Sequence, residues 1–130
     1  MIILGHHKDD QVETVFFRVL RGTGLKGLSG IPRYTEINGK DLLRPLLHIS
    51  KAEILQFMDE AQLDFIEDES NQDNSYSRNF LRNKVIPLIT ERWPGAKKNT
   101  ARMANLLSKQ SKLYHKFLTD KLKSVCDDDG

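Results

Sequence analysis

Residues 2–20 read IILGHHKDDQVETVFFRVL, and the organisation of the chain follows from this stretch. Residues 2–5 form a short apolar run, which predicts a buried strand because four residues are too few for a helix. Over residues 11–21 apolar side chains recur every three or four positions, which predicts an amphipathic helix. Asp10 and Glu13 then fit an acidic capping pair at its start. Ligands of open α/β sheets bind where a strand ends and a helix begins.

His6, Asp9 and Asp10 follow the predicted strand directly. Backbone N–H groups at a helix start favour anions such as phosphate. Carboxylates at the same place can hold Mg²⁺, which bridges to phosphate oxygens. The alternative interpretation is that the two aspartates only cap the helix and that the histidine is an ordinary surface residue.

A glycine-rich loop, RGTGLKGLSG, follows at residues 21–30. Its glycines, among them Gly22 and Gly24, free the backbone to approach a ligand, and Arg21 and Lys26 can meet phosphate. The loop matches neither the dinucleotide fingerprint nor the Walker A pattern. A plain flexible loop is therefore the other interpretation.

The middle of the chain combines a hairpin, a helix and a polar loop. Residues 34–37 and 40–43 flank Asn-Gly at 38–39, which predicts two strands joined by a type I′ turn. A capping box opens a helix at Ser50. Residues 67–77, EDESNQDNSYS, predict a long polar loop of a kind that is often functional.

The second half of the chain is predicted to be helical. Arg78 and Arg82 lie four residues apart on one helix face, where an Arg can reach a triphosphate or leaving pyrophosphate or simply be exposed. Pro87 should kink or divide this helix. Residues 96–124 predict one helix of about 43 Å with a single apolar stripe. Such a stripe calls for another domain or a second copy as partner.

Charge is unevenly distributed along the 130 residues, whose net charge is +2. Residues 78–130 contain 12 Lys and Arg against 5 Asp and Glu. A basic block of this kind indicates a surface for phosphate or nucleic acid, or else the solvated face of a helix. The candidate RNA-binding cations are Arg82, Lys97, Lys98 and Arg102.

A single cysteine, Cys126, excludes a disulfide framework and a zinc site built on Cys pairs. No apolar run approaches the length of a membrane span, and the N-terminus has no signal-peptide pattern. We therefore expect a cytoplasmic protein with no membrane partner.

Four segments in order resemble the tRNA(Ile)-lysidine synthase family of the PP-loop ATP pyrophosphatases. They are GHHKDDQVET (5–14), RGTGLKGLSGIP (21–32), RPLLHISKAEI (44–54) and FIEDESNQDNSYSRNFLRNKVIPLI (65–89). The resemblance implies an α/β fold, a parallel-sheet nucleotide-binding domain. Residues 1–93 would be the C-terminal half of this catalytic domain, 94–126 a long linker helix toward tRNA-binding domains, and 127–130 an acidic tail. The chain itself should be mostly α-helical, with one short strand and a hairpin.

The resemblance also implies an activity and its participants. The family uses ATP and Mg²⁺ to adenylate C2 of cytidine 34 in the CAU anticodon of tRNA(Ile), and free L-lysine then displaces AMP to give lysidine. By this resemblance His6, Asp10 and Arg78 are catalytic, and together with Asp9 they bind ATP and Mg²⁺, the metal lying on Asp10. The loop near the substrates would contribute Arg21, Gly22, Gly24 and Lys26.

The family's Ser-Gly-Gly-x-Asp-Ser pyrophosphate loop does not occur in this sequence, and neither do its C-terminal domains. We therefore expect a piece of the enzyme that is inactive alone. Its apolar surface, or the long helix, could support a homo-oligomer. Two alternatives stay open: another PP-loop tRNA-modifying enzyme such as a thiolase, against which the single cysteine argues, and a non-enzymatic basic helical RNA-binding module.

Overall fold

The computed structural model describes residues 1–64 and 75–126. Most of the predicted polar loop at 67–77 and all of the predicted acidic tail at 127–130 lie outside the described residues. The elements in chain order are β1 (Ile2–Ile3), α1 (Lys8–Leu20), α2 (Leu25–Leu28), β2 (Tyr34–Ile37), β3 (Lys40–Leu43), a 3-10 turn (Pro45–His48), α3 (Lys51–Glu60), α4 (Ser77–Phe80), a π-helical turn (Leu81–Val85), α5 (Ile86–Arg92) and α6 (Ala96–Cys126).

The three strands form one mixed sheet in the order β1-β3-β2. β1 runs parallel to β3, with Ile2 opposite Leu42, and β2 runs antiparallel to β3. Asn38 and Gly39 have φ values of 52° and 70°. A type I′ turn requires positive φ at both of its central residues. The predicted hairpin is confirmed. The predicted strand at residues 2–5 is confirmed only at Ile2–Ile3, and its predicted burial is wrong, because Ile2 and Ile3 are 43% and 63% exposed. The parallel pairing of β1 with β3 is a long-range contact that neither segment encodes locally.

Helix α1 begins at Lys8, three residues before the predicted start. The His7 N–H donates a hydrogen bond to Asp10 Oδ2 at 2.9 Å. His7 therefore occupies the cap position and Asp10 closes the first turn. The predicted capping pair of Asp10 and Glu13 is wrong. The carboxylate of Glu13 is therefore not used to cap α1 and can bind another part of the chain.

The predicted glycine loop contains a short helix, α2, rather than irregular chain throughout. The capping box at the start of α3 is confirmed, because the Glu53 N–H donates to Ser50 Oγ at 3.2 Å and the Ser50 N–H donates to Glu53 Oε2 at 2.8 Å. The predicted division near Pro87 is also confirmed. The chain widens into a π-helical turn in which the Ile86 N–H reaches the Leu81 carbonyl. This turn accommodates a proline ring that cannot continue a regular helix.

The hydrophobic core joins α1 to the helical segment that follows residue 77. Val12, Leu81 and Ile86 are each at most 3% exposed, and Phe16, Phe17, Val85 and Ala101 pack against them. The core therefore fixes the N-terminal half of α1 against the turn that carries Arg82. This packing brings the acidic side chains at the start of α1 close to Arg78 and Arg82.

Helix α6 has 31 residues, and its distal half is exposed. Ala104 is fully buried, whereas Leu113, Phe117 and Leu122 in its distal half are 58% to 70% exposed. Most of the predicted apolar stripe is thus exposed, including Met103 at 39% and Leu106 at 49%, and Leu107 is half-buried. Among the described residues, no helix combines the length and apolar character that a membrane span requires.

Replacing Leu81 by Ala tests this account of the core. The Leu81 side chain is 2% exposed. Its truncation should therefore lower the free energy of unfolding by about 2–4 kcal/mol in urea titrations followed by circular dichroism. Leu88→Ala is the matched control, because Leu88 is 67% exposed. Its loss should cost less than about 1 kcal/mol. Equal losses in the two variants would contradict this assignment of the core.

Candidate functional site

Two buried carboxylates lie one turn apart on α1. Asp10 is 9% exposed and Glu13 is 3% exposed. Removing such groups from water is costly unless each is paired and hydrogen-bonded. Their partners come from a segment more than sixty residues further along the chain.

Arg82 binds Glu13 through both of its oxygens. Its Nε donates to Glu13 Oε1 at 2.6 Å and its Nη2 donates to Oε2 at 2.9 Å. This is the bidentate geometry that suits a guanidinium and a carboxylate. The same Nη2 is 3.4 Å from Asp10 Oδ1. The hydrogen bond to Glu13 outweighs the effect of burial and raises the pKa of Arg82, so this guanidinium stays charged.

Arg78 binds the same carboxylates more loosely. Its Nε is 3.3 Å from Glu13 Oε2, and its Nη2 is 3.4 Å from Thr14 Oγ1 and 3.8 Å from Asp10 Oδ1. Its side chain is 45% exposed, against 33% for Arg82. Arg78 is therefore the guanidinium that can turn toward an anion while Arg82 holds Glu13. These four residues, Asp10, Glu13, Arg78 and Arg82, are called the charged quartet below.

Asp9 binds two other elements. The Lys51 N–H at the start of α3 donates to Asp9 Oδ2 at 2.8 Å, and Lys97 Nζ on α6 donates to Oδ1 at 2.9 Å. Burial alone would raise the pKa of Asp9, but these two bonds and the nearby charges of Lys97 and His7 bring it below its ordinary value. Asp9 therefore connects α1, α3 and α6.

The two histidines flank the start of α1. Each has a buried Nδ1 without a hydrogen-bond partner among the described residues. His7 Nε2 lies 3.4 Å from Asp10 Oδ2. His6 follows β1, and no hydrogen bond within residues 1–64 and 75–126 connects it to Asp10 or Arg78. Such a nitrogen forms a further hydrogen bond only if a water molecule or a ligand reaches its buried position.

A cleft of about 440 Å³ opens beside the charged quartet. Its volume is within the range of small-molecule sites. The residues that line it come from α1, α3, the π-helical turn and its neighbours, and α6. They are His7, Asp9, Val12, Glu13, Lys51, Arg82, Asn83, Ile86 and Lys97.

The predicted substrate loop lies away from this cleft. Arg21 is eleven residues beyond Asp10, which corresponds to about 16 Å along the helix axis. Its guanidinium lies over the Phe17 ring, 5.2 Å from the ring centre. Lys26 is exposed on α2. The structure does not bring these cations to Asp10.

The two glycines assigned to that loop differ in their backbone conformation. Gly22 has a φ of 79°. Residues with a side chain rarely adopt such a value, so glycine is required there for the shape of the chain. Gly24 precedes α2 with an ordinary φ of −89°. Only Gly22 therefore needs the freedom of a glycine for its conformation.

The predicted RNA-binding cations divide into two pairs. Arg82 and Lys97 are engaged by Glu13 and Asp9 in the cleft. Lys98 and Arg102 are exposed on α6 and line a different, larger cavity.

Sequence reasoning missed Glu13 as a site residue because the residue also fitted a helix cap. The spacing of charged residues was the available signal. Asp10 and Glu13 lie three residues apart near the start of one predicted helix, and Arg78 and Arg82 lie four residues apart on another. Each pair projects from one helix face, so the pairs could meet.

In this arrangement the oxygens of Asp10 have protein partners, so the predicted Mg²⁺ site on Asp10 is not preformed. Within the described ranges 1–64 and 75–126, no cluster of three or more His, Cys, Asp or Glu residues could hold a metal. Asp10 Oδ2 accepts the His7 N–H, and Oδ1 lies between the two guanidiniums. What the site offers instead is cationic hydrogen-bond donors for an anion.

Comparison with known proteins gives the class of this chain. Residues 1–89 match the PP-loop domain, and the chain belongs to that family. A PP-loop domain implies an α/β nucleotide-binding fold, and this mostly helical chain with its three-stranded sheet agrees with a part of one.

Among more specific relatives, the chain is similar to proteins named tRNA(Ile)-lysidine synthase. It is 41% identical over 128 residues to that of Francisella tularensis subsp. novicida (strain U112), covering 98% of this chain and 32% of the relative. For Enterobacter sp. (strain 638) the identity is 43% over 129 residues, covering 99% and 30%. For Vibrio cholerae serotype O1 (strain ATCC 39315) it is 40% over 130 residues, covering 100% and 30%. The chain thus spans about a third of the length of these curated relatives.

The lowered pKa of Asp9 predicts an acid-sensitive contribution to stability. The ionised carboxylate stabilises the fold above its ordinary pKa of 3.8, and this contribution is lost as the pH falls through the lower pKa of the folded state. Asp9→Asn should therefore be less stable than the wild type near neutral pH, and the difference should narrow toward acid pH in urea titrations.

Asp59→Asn is the control with the same change of charge, since Asp59 is exposed on α3. It should show little difference from the wild type at any pH. A stability deficit of Asp9→Asn that is the same near neutral and acid pH would contradict the role of Asp9 as a charged connector.

Proposed function

We propose that this chain is part of an ATP-dependent enzyme that ligates lysine to C2 of cytidine 34 in the CAU anticodon of tRNA(Ile). Two observations support the proposal: the similarity to proteins named for this reaction, and the charged quartet beside a cleft at the start of α1. In this proposal residues 1–93 belong to the catalytic domain and residues 94–126 form a helix that leads away from it.

The single feature on which the proposed chemistry rests is the exposed, loosely held guanidinium of Arg78. ATP supplies the adenylyl group that activates the C2 oxygen, and pyrophosphate leaves. A guanidinium that contacts the phosphates stabilises the charge that accumulates on them as the bond breaks. Arg78 would exchange its contacts of 3.3 to 3.8 Å with Glu13 and Asp10 for phosphate oxygens.

The other members of the quartet would keep the site in place. Arg82 remains bidentate on Glu13, so the carboxylate stays neutralised when Arg78 moves. Asp10 orients Arg78 from one side, and the buried Nδ1 of His6 offers a hydrogen bond to the substrate or nucleotide. Mg²⁺ bound at Asp10 stays a prediction, which requires Asp10 Oδ1 to leave the guanidiniums.

A non-enzymatic RNA-binding module is the second candidate. Lys98 and Arg102, which are exposed on α6 and form no salt bridge within residues 1–64 and 75–126, favour it. This candidate predicts RNA binding without lysine incorporation.

The test measures ATP-dependent incorporation of radiolabelled lysine into tRNA(Ile) by the full-length product of the gene that encodes this chain. Arg78→Ala should lower the rate by about 10²-fold or more, the usual effect of removing one donor to a developing charge. Asp10→Ala should also lower it strongly. Arg92→Ala and Asp59→Ala, which remove exposed charges, should leave it within about twofold.

Thermal unfolding of each variant distinguishes lost chemistry from lost folding. Wild-type rates of lysine incorporation by both Arg78→Ala and Asp10→Ala would refute the assignment of these two residues to the active site. Absence of lysine incorporation by a folded wild-type protein that binds tRNA would favour the RNA-binding module instead.

A further inference from the structure

A second cavity, larger than the cleft, lies outside the charged quartet. It measures about 750 Å³ and lies between α6, the start of α1, the strand ends at Tyr34 and Leu43, and the 3-10 turn. We call it the basic groove. The cations that line it are Lys8, Arg33, Lys98, Arg102, Lys109 and Lys112.

The lining of the basic groove is cationic, and two carboxylates act on it from outside: Glu53 interacts with Lys8, and Asp41 accepts a hydrogen bond from the Tyr34 hydroxyl. None of its described lining residues is Asp or Glu. None of its six cations forms a salt bridge within residues 1–64 and 75–126, and four of them lie on one helix. The neighbouring cleft differs, because there each carboxylate of the quartet meets a guanidinium. Cations concentrated in a groove attract a polyanion rather than stabilise the fold.

The cations on α6 form one continuous row. The four cations are Lys98, Arg102, Lys109 and Lys112, and the neutral Asn105 lies between Arg102 and Lys109, so that the five residues follow one another at intervals of four, three, four and three. This spacing keeps them on a single helix face, and the row extends over about 21 Å. A row of this length can contact several successive phosphates of a nucleic-acid strand.

The opposite wall is held rigidly by hydrogen bonds. The Ile31 N–H donates to Gln11 Oε1 at 2.5 Å, and Gln11 Nε2 donates to the Ile31 carbonyl at 3.2 Å. Arg44, which is 8% exposed, donates from Nη1 to the Pro32 carbonyl at 2.9 Å and to Thr35 Oγ1 at 3.0 Å. The wall that presents Arg33 and Tyr34 is therefore preorganised.

Tyr34 adds an aromatic surface to this wall. It is 56% exposed, and its hydroxyl donates a hydrogen bond to Asp41 Oδ1, which fixes the position of the ring. An exposed aromatic ring beside a row of cations is the combination that binds single-stranded nucleic acid, since bases stack on the ring while cations contact the backbone. An acidic peptide would use the cations but would not need the ring.

We propose that the basic groove binds a single-stranded or looped segment of RNA, with its phosphates along α6 and a base on Tyr34. The proposal rests on the proposed function for the identity of the nucleic acid as RNA. It assigns RNA contact to the six groove cations. Arg82 and Lys97, which the sequence grouped with Lys98 and Arg102, hold Glu13 and Asp9 instead.

The test measures binding of the 130-residue chain to a fluorescein-labelled, mixed-sequence single-stranded RNA by fluorescence anisotropy over a range of salt concentrations. The groove variant combines Lys98→Gln, Arg102→Gln and Lys109→Gln. The matched control combines Arg92→Gln, Lys121→Gln and Lys123→Gln, which removes the same charge from exposed positions outside the groove.

The groove variant should bind at least about tenfold more weakly, and the slope of log K against log salt should decrease in magnitude by about 2, or ~0.7 per lost phosphate contact. The control should change affinity by less than about threefold. Equal losses of RNA affinity in the groove variant and the control would mean that affinity depends on net charge alone and not on the groove, and this result would overturn the proposal. Failure of the wild-type chain to bind RNA would overturn it as well.

Two Tyr34 variants test the aromatic contact. Tyr34→Ala should weaken RNA binding at least about fivefold through lost stacking, whereas Tyr34→Phe, which keeps the ring, should bind within about twofold of the wild type. Unchanged binding by Tyr34→Ala, together with equally effective competition by polyglutamate, would identify the partner as an acidic protein and refute the RNA proposal.

These measurements use neither ATP nor lysine, so they are independent of the proposed catalysis. In the full-length gene product, loss of lysine incorporation in Arg78→Ala with RNA affinity retained would separate the two sites. Retained RNA affinity in the groove variant would refute RNA binding by the basic groove. It would not contradict the proposed enzyme activity.

Discussion

Glu13 lies 3% exposed between two guanidinium groups, at the place where α1 packs against the helical segment that begins at residue 77. An unpaired carboxylate there would cost several kcal/mol, enough to cancel much of the stability of a domain of this size. The bidentate bond from Arg82 offsets that cost and fixes the distance between the two helices. The positions of Asp10 and Arg78, and the cleft beside them, depend on this contact.

The start of α1 separates two electrostatic environments. Lys8 lines the basic groove, whereas the next residue, Asp9, faces the cleft and binds α3 and α6. The carboxylates of the cleft are neutralised by partners within the protein, but the cations of the groove form no salt bridge with any described carboxylate. One side thus contains a half-exposed guanidinium, Arg78, that contacts carboxylates at 3.3 to 3.8 Å, and the other contains a row of exposed charges. A phosphate-bearing small molecule suits the first and a polyanionic strand suits the second.

Local patterns predicted much of the fold because the relevant forces act over a few residues. The Asn-Gly turn, the capping box at Ser50 and the division near Pro87 each follow from backbone preferences of the residues concerned. The predicted start of α1 was wrong because His7, which is not a favoured cap residue, holds the cap position through Asp10. The parallel pairing of β1 with β3 depends on contacts across forty residues, which no local pattern contains.

The site shows the same division between local and long-range information. Asp10 and Arg78 were predicted and meet in the structure, whereas the loop at Arg21 lies at the far end of α1. Glu13 was not predicted as a site residue, because its contacts with Arg78 and Arg82 depend on which helical segment packs against α1. The basic residues of α6 looked equivalent in sequence, yet Lys97 donates a hydrogen bond to Asp9, whereas Lys98, one position later, lines the basic groove. Neighbours in sequence on a helix point in different directions, and only the packing decides which one meets a carboxylate.

A double-mutant cycle between Glu13 and Arg82 measures the contact on which this arrangement depends. Glu13→Gln, Arg82→Gln and the double variant would be compared with the wild type in urea unfolding near neutral pH. We expect each single variant to be strongly destabilised, with a coupling energy of about 2 kcal/mol or more. A coupling energy below about 0.5 kcal/mol would mean that the two side chains stabilise the protein independently, and it would contradict the central role of this ion pair.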